Sequence, residues 1–341
     1  MWTGDHTYVL AEIGVNHNGS MARARELIDV AVATGADAAK FQTFRTEALV
    51  RSTQNRMPYQ SEENCGNVSQ FEMLKMLELD ESQHRELKAY CNSKAIDFIS
   101  TPYDTDSVDL LVRVGVKAIK VASTDITNLP LLRYIARQGL PVICSTGVCD
   151  FWEVAKAMEA FTACRAPIAV LHCVSNYPAP IAELNLAAMQ TMQAAFGVPV
   201  GFSDHTTSLD MGAWAVCAGA SVIEKHITFD NKATGPDHAA SLELGPFAAY
   251  VANIRAARNA MGDGRKRVQD CERAVKRHMQ KSLVAARPLA AGTRLSERDL
   301  SSMRPAEGIS PLFVDQVVGR TLRAAKNFQD TLRWEDIDSN D

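Results

Sequence analysis

No run of about 18 or more apolar residues occurs in this chain of 341, so an ordinary transmembrane helix is not expected. The opening MWTGDHTYVLAEIG lacks the basic segment of a secretion signal and runs straight into a strand-like stretch. No Cys-x-x-Cys pair is present, and the eight cysteines are scattered without zinc-like spacing. Several of them (Cys144, Cys173, Cys217) sit in apolar runs and read as small buried hydrophobes. A reduced, cytoplasmic protein follows. A basic surplus is also missing: Lys plus Arg is 36 against 40 Asp plus Glu, for a formal net charge of −4. Nucleic acid is therefore not an expected partner, nor is a membrane. An anionic substrate would need local rather than global positive charge.

What the sequence does have is alternation. Short apolar runs recur at 8–14 (YVLAEIG), 38–44 (AAKFQTF), 98–102 (FISTP), 118–123 (AIKVAS), 142–147 (VICSTG), 168–173 (IAVLHC), 198–204 (VPVGFSD) and 222–228 (VIEKHIT). Between them lie stretches such as ARARELIDVAVATGA (22–36), whose apolar residues recur at i, i+3, i+4 and i+7 and which close on glycine. Strands alternating with helices imply a parallel sheet, and eight units predict a (β/α)8 TIM barrel over residues 1–262. An open doubly wound sheet is the alternative, weakened because no G-x-G-x-x-G follows the first strand. One connection, residues 45–80, is long and would leave the mouth of the barrel. Residues 263–280 form a charged stretch that reads as a linker, its charges a solvated face. Residues 281–341 carry short runs with Pro and Gly punctuation and read as a second, small domain that needs a surface to dock on.

The chemistry lies where polar residues fall. Strand after strand ends on one: Glu12, Lys40 with Gln42, Thr101, Lys120 with Ser123, Ser145, His172 with Ser175, Ser203 with Asp204 and His205, and Glu224 with His226. In a barrel these ends converge on one mouth. Lys40 and Lys120 lie inside apolar strands, where an unpaired ammonium is costly. They are either structural partners of Glu12 or Glu224, or a pair of cations for an anionic ligand, with Thr101, Ser123, Ser145 and Ser203 as neutral donors. His205 and His226 end adjacent strands beside Asp204, Glu224 and Asp237, which makes them metal candidates without choosing the metal. His172 is either core packing or a pocket donor.

The stretches AEIGVNHNGS, GADAAKFQTF, SQFEMLKMLEL, FISTPYD, IKVASTDITNLPLL, CSTGV, LHCVSNYPAP, GFSDHT, EKHIT and GPDHAAS, in that order, resemble the sialic-acid synthase family, and residues 281–337 resemble its antifreeze-like (SAF, β-clip) domain. The resemblance implies condensation of phosphoenolpyruvate with an open-chain 2-acetamido hexose, either N-acetylmannosamine or a 2,4-diacetamido-2,4,6-trideoxymannose. It implies a divalent ion, Mn2+ or Mg2+, on His205 and His226. Lys40, Thr101, Lys120, Ser123, Ser145, Ser175 and Ser203 would surround phosphoenolpyruvate. Gln42, Asn67, Asp125, Tyr177, Asp237 and, from the SAF domain, Arg304 would face the sugar, Arg304 by reaching the partner's site in a domain-swapped homodimer. Glu12 would handle a proton, with Lys40 and Lys120 stabilising the reacting anion. Asp125 stands where the family often has Glu, and Ser175 where it often has Asn; a bulkier or deoxygenated sugar, as in a legionaminate-type product, and drift without a change of substrate both account for this. Two rival readings are a Schiff-base aldolase using Lys40 or Lys120 and a sugar-binding module without catalysis.

Overall fold

Along each strand, alternate residues must face opposite sides. In the computed structural model, which describes residue 2 and residues 6–51 and 69–338, the two sets of strand residues enter different cores. Val9, Ala11, Ala39, Phe41, Phe98, Val170 and Phe202 pack into a large outer cluster with the helices. Leu10, Ala38, Ile99, Ala118, Ile143, Ala169, Leu171 and Val222 join Trp2 in a smaller cluster of their own. Two separate cores from one set of strands suit either an open sheet covered on both faces or a sheet closed on itself, and the pairing decides: eight parallel strands form a closed barrel. They are β1 (Tyr8–Gly14), β2 (Ala38–Thr43), β3 (Asp97–Pro102), β4 (Ile119–Val121), β5 (Val142–Ser145), β6 (Ile168–Cys173), β7 (Val200–Asp204) and β8 (Val222–His226). Pairing of β1 with β8 completes the ring and rules out the open sheet.

The helices between strands form for local reasons. Met21–Ala33 begins at Ser20, whose side chain accepts from the Arg23 N–H, and buries Ala24, Leu27, Ile28 and Ala31, the i, i+3, i+4, i+7 stripe. Glu81–Ser93 is opened by a reciprocal capping box between Asp80 and Gln83. Burial of each large apolar side chain contributes roughly 1.5–3 kcal/mol, and Phe41 and Phe98 stack between the strands and this layer with centroids 5.4 Å apart. No helix among the described residues is long and apolar enough to cross a membrane.

The chain divides after Gly262. Residues 263–280, expected as a linker, carry a helix, Asp270–Met279, that buries none of its residues. It belongs with the second unit: the Arg277 carbonyl accepts from the Ala306 N–H at 2.8 Å, and the Arg277 guanidinium meets Glu307 at 2.8 Å. The rest of that unit is an antiparallel pair, β9 (Ser282–Ala285) and β10 (Leu300–Met303), with several isolated bridges. Its own small core includes Leu283, Leu289, Leu295, Ile309, Leu322 and Leu332.

Candidate active site

The apolar plug inside the barrel ends abruptly. Two residues further along each strand, the inward position changes from Leu10 to Glu12, Ala38 to Lys40, Ile99 to Thr101, Ala118 to Lys120, Ile143 to Ser145, Leu171 to Cys173 and Val222 to Glu224. Strand register sets these side by side, with Glu12 opposite both Lys40 and His226, Ser203 opposite Glu224, and Gln42 opposite Thr101. Glu12, Lys40, Thr101, Lys120, Ser145, Ser203, Glu224 and His226 are all buried.

These groups form a linked polar layer. Lys40 Nζ donates to Glu12 Oε1 at 2.7 Å. Lys120 Nζ donates to Ser145 Oγ at 2.6 Å and lies 3.5 Å from Glu224 Oε2. Ser203 Oγ donates to Glu224 Oε1 at 2.8 Å. Burial raises the Glu12 carboxyl to about 7, with Glu224 adding to the rise and Lys40 and Lys120 opposing it. The same burial acts on Glu224, but there Lys120, Lys40 and the Ser203 hydroxyl prevail and hold it down at about 2. Two carboxylates in one layer are thereby pushed apart, one poised near neutrality and one ionised, which is the pattern of an acid–base site beside an anion-binding one. The layer is also incompletely satisfied. Glu12 Oε2, Thr101 Oγ1 and His226 Nδ1 are buried without a hydrogen-bond partner among the described residues, and Glu224 Oε2 has only the Lys120 ammonium at 3.5 Å. Buried polar atoms left open in one place mark where a ligand completes the bonding.

Above this layer stand the histidines. The rings of His205 and His226 are 5.8 Å apart between centroids. His205 Nδ1 lies 2.9 Å from the Val174 carbonyl, which fixes its proton there and leaves Nε2 as the acceptor for the Tyr177 hydroxyl at 3.0 Å. Burial, with His205 and Lys40 nearby, keeps His226 well below its ordinary value and therefore neutral. Asp237 is pushed up to about 6 by burial, against the pull of His205 and Lys40. Its carbonyl accepts from Ser241 Oγ at 2.6 Å, and Ser241 in turn accepts from the buried Asn16 amide at 2.9 Å.

The loops after β4, β5 and β6 make a third wall. Ser123 Oγ accepts from the Gly147 N–H at 2.9 Å. A Cβ on Gly147 would come within 2.1 Å of Ser175 Oγ and 3.0 Å of Cys173 Sγ and Ser123 Oγ, so a side chain there would displace these groups. Asp125 sits at the end of the short turn Ser123–Asp125 and accepts from Asn128 Nδ2 at 3.0 Å; burial raises its carboxyl above the usual range. A cavity of about 780 Å³ opens beside Cys173 and Ser175 toward the outer layer, with His172, Cys149, Phe151 and Met192 in its walls; Glu12, Lys40, Lys120, His205 and His226 do not line it. That volume is within the usual range for small-molecule pockets.

Several expectations need correcting. Asp204 is not beside the histidines: it faces outward, bound to Tyr250 and Lys225. His172 also lies on the outer set of β6, its Nε2 on the Leu184 carbonyl at 2.6 Å and its ring against Phe202. Cys217 is exposed, not buried. Cys173 is buried but is no mere hydrophobe, since its sulfur approaches Ser175 Oγ at 3.6 Å and His205 Nδ1 at 3.7 Å. Asn67 lies outside the described residues. Arg304 is exposed in the second unit, directly after β10 and ahead of a cis bond to Pro305.

The model of one family, described as the NeuB family, matches residues 27–266, and that of the SAF domain matches residues 280–338. The chain belongs to the NeuB family. Among relatives of this NeuB-family chain, the N,N'-diacetyllegionaminic acid synthase of Legionella pneumophila is 41% identical, over 97% of this chain and 95% of that protein. The N,N'-diacetyllegionaminic acid synthase of Campylobacter jejuni is also 41% identical, over 95% and 97%. Among solved structures, the N-acetylneuraminic acid synthetase of Leptospira borgpetersenii, crystallised with citrate, is 33% identical and superposes with a TM-score of 0.70 over 80% of this chain and 90% of that one.

Reasoning from sequence missed Cys173, Gly147 and Asn16 in this NeuB-family site. Period-2 counting was the available signal for Cys173, because it lies two residues beyond the inward Leu171. Gly147 and Asn16 gave no such signal; only the packing shows what they touch.

Proposed function

We propose that this protein is a nonulosonic acid synthase, joining phosphoenolpyruvate to the open-chain form of a 2-acetamido hexose and releasing phosphate. The observation that carries the reading is the buried layer in which Lys40 and Lys120 stand over an apolar plug, each ion-paired with one carboxylate. Two ammonium groups with Thr101, Ser123, Ser145, Ser175 and Ser203 suit a small dense anion. Gln42, Asp125, Tyr177 and Asp237 border the space left for the sugar, and Asn67 and Arg304 are assigned there by resemblance. For the sugar itself we favour the 2,4-diacetamido-2,4,6-trideoxy hexose, in keeping with the two legionaminic acid synthases that share 41% of their residues with this chain.

In this reading C3 of phosphoenolpyruvate forms the new bond to the aldehyde carbon. Positive charge grows at C2, water adds there, and the C–O bond to phosphate breaks. Lys40 and Lys120 hold the anion in place while charge redistributes, and fixing both reactants over one rigid floor supplies much of the rate. Glu12, near neutrality in its carboxyl, takes or gives the proton at the water or the aldehyde oxygen.

A divalent ion, Mn2+ or Mg2+, fits the two imidazoles. His205 would offer Nε2, which the Tyr177 hydroxyl now occupies, with its proton on the far nitrogen, and His226 is neutral with Nδ1 lacking a partner among the described residues. Bound there, it would polarise the aldehyde as a Lewis acid. No group of three or more His, Cys, Asp or Glu that could hold a metal occurs among the described residues, so substrate and water oxygens would complete the shell. Following the resemblance, we assign the protein a domain-swapped homodimer in which Arg304 serves the partner's site; the scattered cysteines, without a Cys-x-x-Cys pair, support a reduced, cytoplasmic location.

A Schiff-base aldolase is the weaker reading. Both lysines are engaged by carboxylates, and each would have to leave its ion pair to attack a carbonyl. The test is phosphate release from phosphoenolpyruvate with Mn2+, offering N-acetylmannosamine or the 2,4-diacetamido-trideoxymannose, each with and without EDTA. Release with the diacetamido sugar alone, abolished by EDTA, is expected. No phosphate release from phosphoenolpyruvate, with condensation of pyruvate that survives EDTA and borohydride trapping of a lysine adduct, would replace the synthase by the aldolase.

A further inference from the structure

Directly behind the two histidines, on the outer face of the barrel, lies a third buried charge pair, which the proposed chemistry does not use. Asp204 and Lys225 are register partners on β7 and β8. Each immediately precedes one of the histidines, Asp204 before His205 and Lys225 before His226. Asp204 Oδ2 is 3.3 Å from Lys225 Nζ and accepts from the Tyr250 hydroxyl at 2.9 Å. Asp204 Oδ1 accepts from the Thr206 N–H at 2.8 Å. Lys225 Nζ donates to the Thr206 carbonyl. Thus Thr206, the residue on the far side of His205, is held at its N–H by one member of the pair and at its carbonyl by the other.

Tyr250 comes from the last barrel helix, Leu244–Met261, and the Lys225 ammonium lies 5.6 Å from its ring centroid. Asp204, Thr206, Lys225 and Tyr250 are each at most 1% exposed. A buried ion pair of this kind is weak support for stability, because matched apolar replacements of similar volume are often neutral or better. What it supplies here is geometry. Backbone on both sides of His205 is tied to the residue that precedes His226.

We infer that Asp204, Lys225 and Tyr250 form a positioning clamp that sets the spacing of His205 and His226 for the divalent ion. None of the three touches substrate or ion; they act through the backbone. The inference rests on the proposed metal role of the two histidines. It assigns a function to residues outside that site, and it makes the sharp turn after β7 part of the metal-binding machinery.

The experiment is a titration of the metal-free full-length protein with Mn2+, reading free ion by electron paramagnetic resonance, alongside phosphoenolpyruvate binding and thermal unfolding. Four proteins are compared: the unaltered chain, the paired replacement Asp204→Leu with Lys225→Met, Tyr250→Phe, and His205→Ala. Tyr250→Phe keeps the ring and serves should the paired replacement not fold. Loss of support for a metal ligand typically weakens binding 10- to 100-fold. The paired replacement is expected to weaken Mn2+ by about 10-fold or more and Tyr250→Phe by a smaller factor, with phosphoenolpyruvate affinity unchanged in both and the metal-free unfolding temperature of Tyr250→Phe lowered by the one buried hydrogen bond it loses. Normal Mn2+ affinity in both, with loss in His205→Ala, would overturn the clamp and leave the metal site standing. Absence of Mn2+ binding by the unaltered chain would overturn both.

Discussion

Glu12 and Lys40 are register partners on neighbouring strands, and their side chains close a 2.7 Å ion pair on the floor of the barrel's mouth. The ammonium best placed for an anion is therefore already in the company of a carboxylate that burial has raised to about 7. An incoming anion beside Lys40 and Lys120 would press that carboxyl further toward its protonated form. Binding of phosphoenolpyruvate near pH 7 is expected to take up a proton. Calorimetry in buffers of different ionisation enthalpy reads this directly; buffer-independent heats would show that Glu12 does not respond.

Replacing Glu12 by Gln removes the titration and keeps the shape. Turnover should fall on the order of 10²-fold if Glu12 moves a proton, and the limb near pH 7 in the pH–rate profile should disappear. Stability should change in a defined direction too. A carboxyl raised from 4.5 to about 7 in the fold binds more protons folded than unfolded between those values, so its contribution declines as pH rises through that window. The Gln variant should lack that decline, as followed by thermal unfolding across pH 4.5–7.

Lys40→Met should weaken phosphoenolpyruvate by roughly 10- to 100-fold, since a hydrogen bond to a charged group contributes about 1.5–3 kcal/mol. The fold should tolerate the change because Glu12 can accept a proton in place of its partner. A KM for phosphoenolpyruvate that does not move would assign Lys40 a purely structural role.

Ser203→Ala strips Glu224 Oε1 of its donor inside the barrel. Leaving a buried carboxylate short of a bond costs about 1–3 kcal/mol. Glu224 is held at about 2, below its ordinary 4.5, so its stabilising contribution is complete above 4.5 and is lost as pH falls toward 2. Without Ser203 its carboxyl rises, and the acid-unfolding midpoint should move to higher pH, as circular dichroism would show.

Gly147→Ala places a methyl group where Ser175 Oγ, Cys173 Sγ and Ser123 Oγ converge. Overpacking of this kind costs about 1–3 kcal/mol, and here the displaced groups line the site. Loss of turnover out of proportion to loss of thermal stability is expected. Proportionate loss of both would mean that the loop is only packed there and does not shape the pocket.

The barrel was legible in the sequence because its signal is local. Eight apolar runs separated by helical stripes are properties of neighbouring residues, and the polar ends of those runs could only converge once the sheet closed. The same period of two separates Asp204 from His205: consecutive strand residues face opposite sides, and the structure sends the carboxylate outward and the imidazole inward. Asn67 lies outside the described residues, so its place in the sugar site remains a reading of the sequence.

What the chain by itself determined is the inventory and the order: two lysines, two carboxylates, two histidines and a row of hydroxyls, each at the mouth end of its strand. What only the tertiary structure decided is the pairing. Whether Lys40 meets Glu12, whether Cys173 faces a histidine, and which carboxylate stays ionised all depend on closure of β8 onto β1 and on how deeply each group is buried. Desolvation and charge proximity act through space, and residues up to 212 positions apart, Glu12 and Glu224, come to share one electrostatic environment only when the ring is complete.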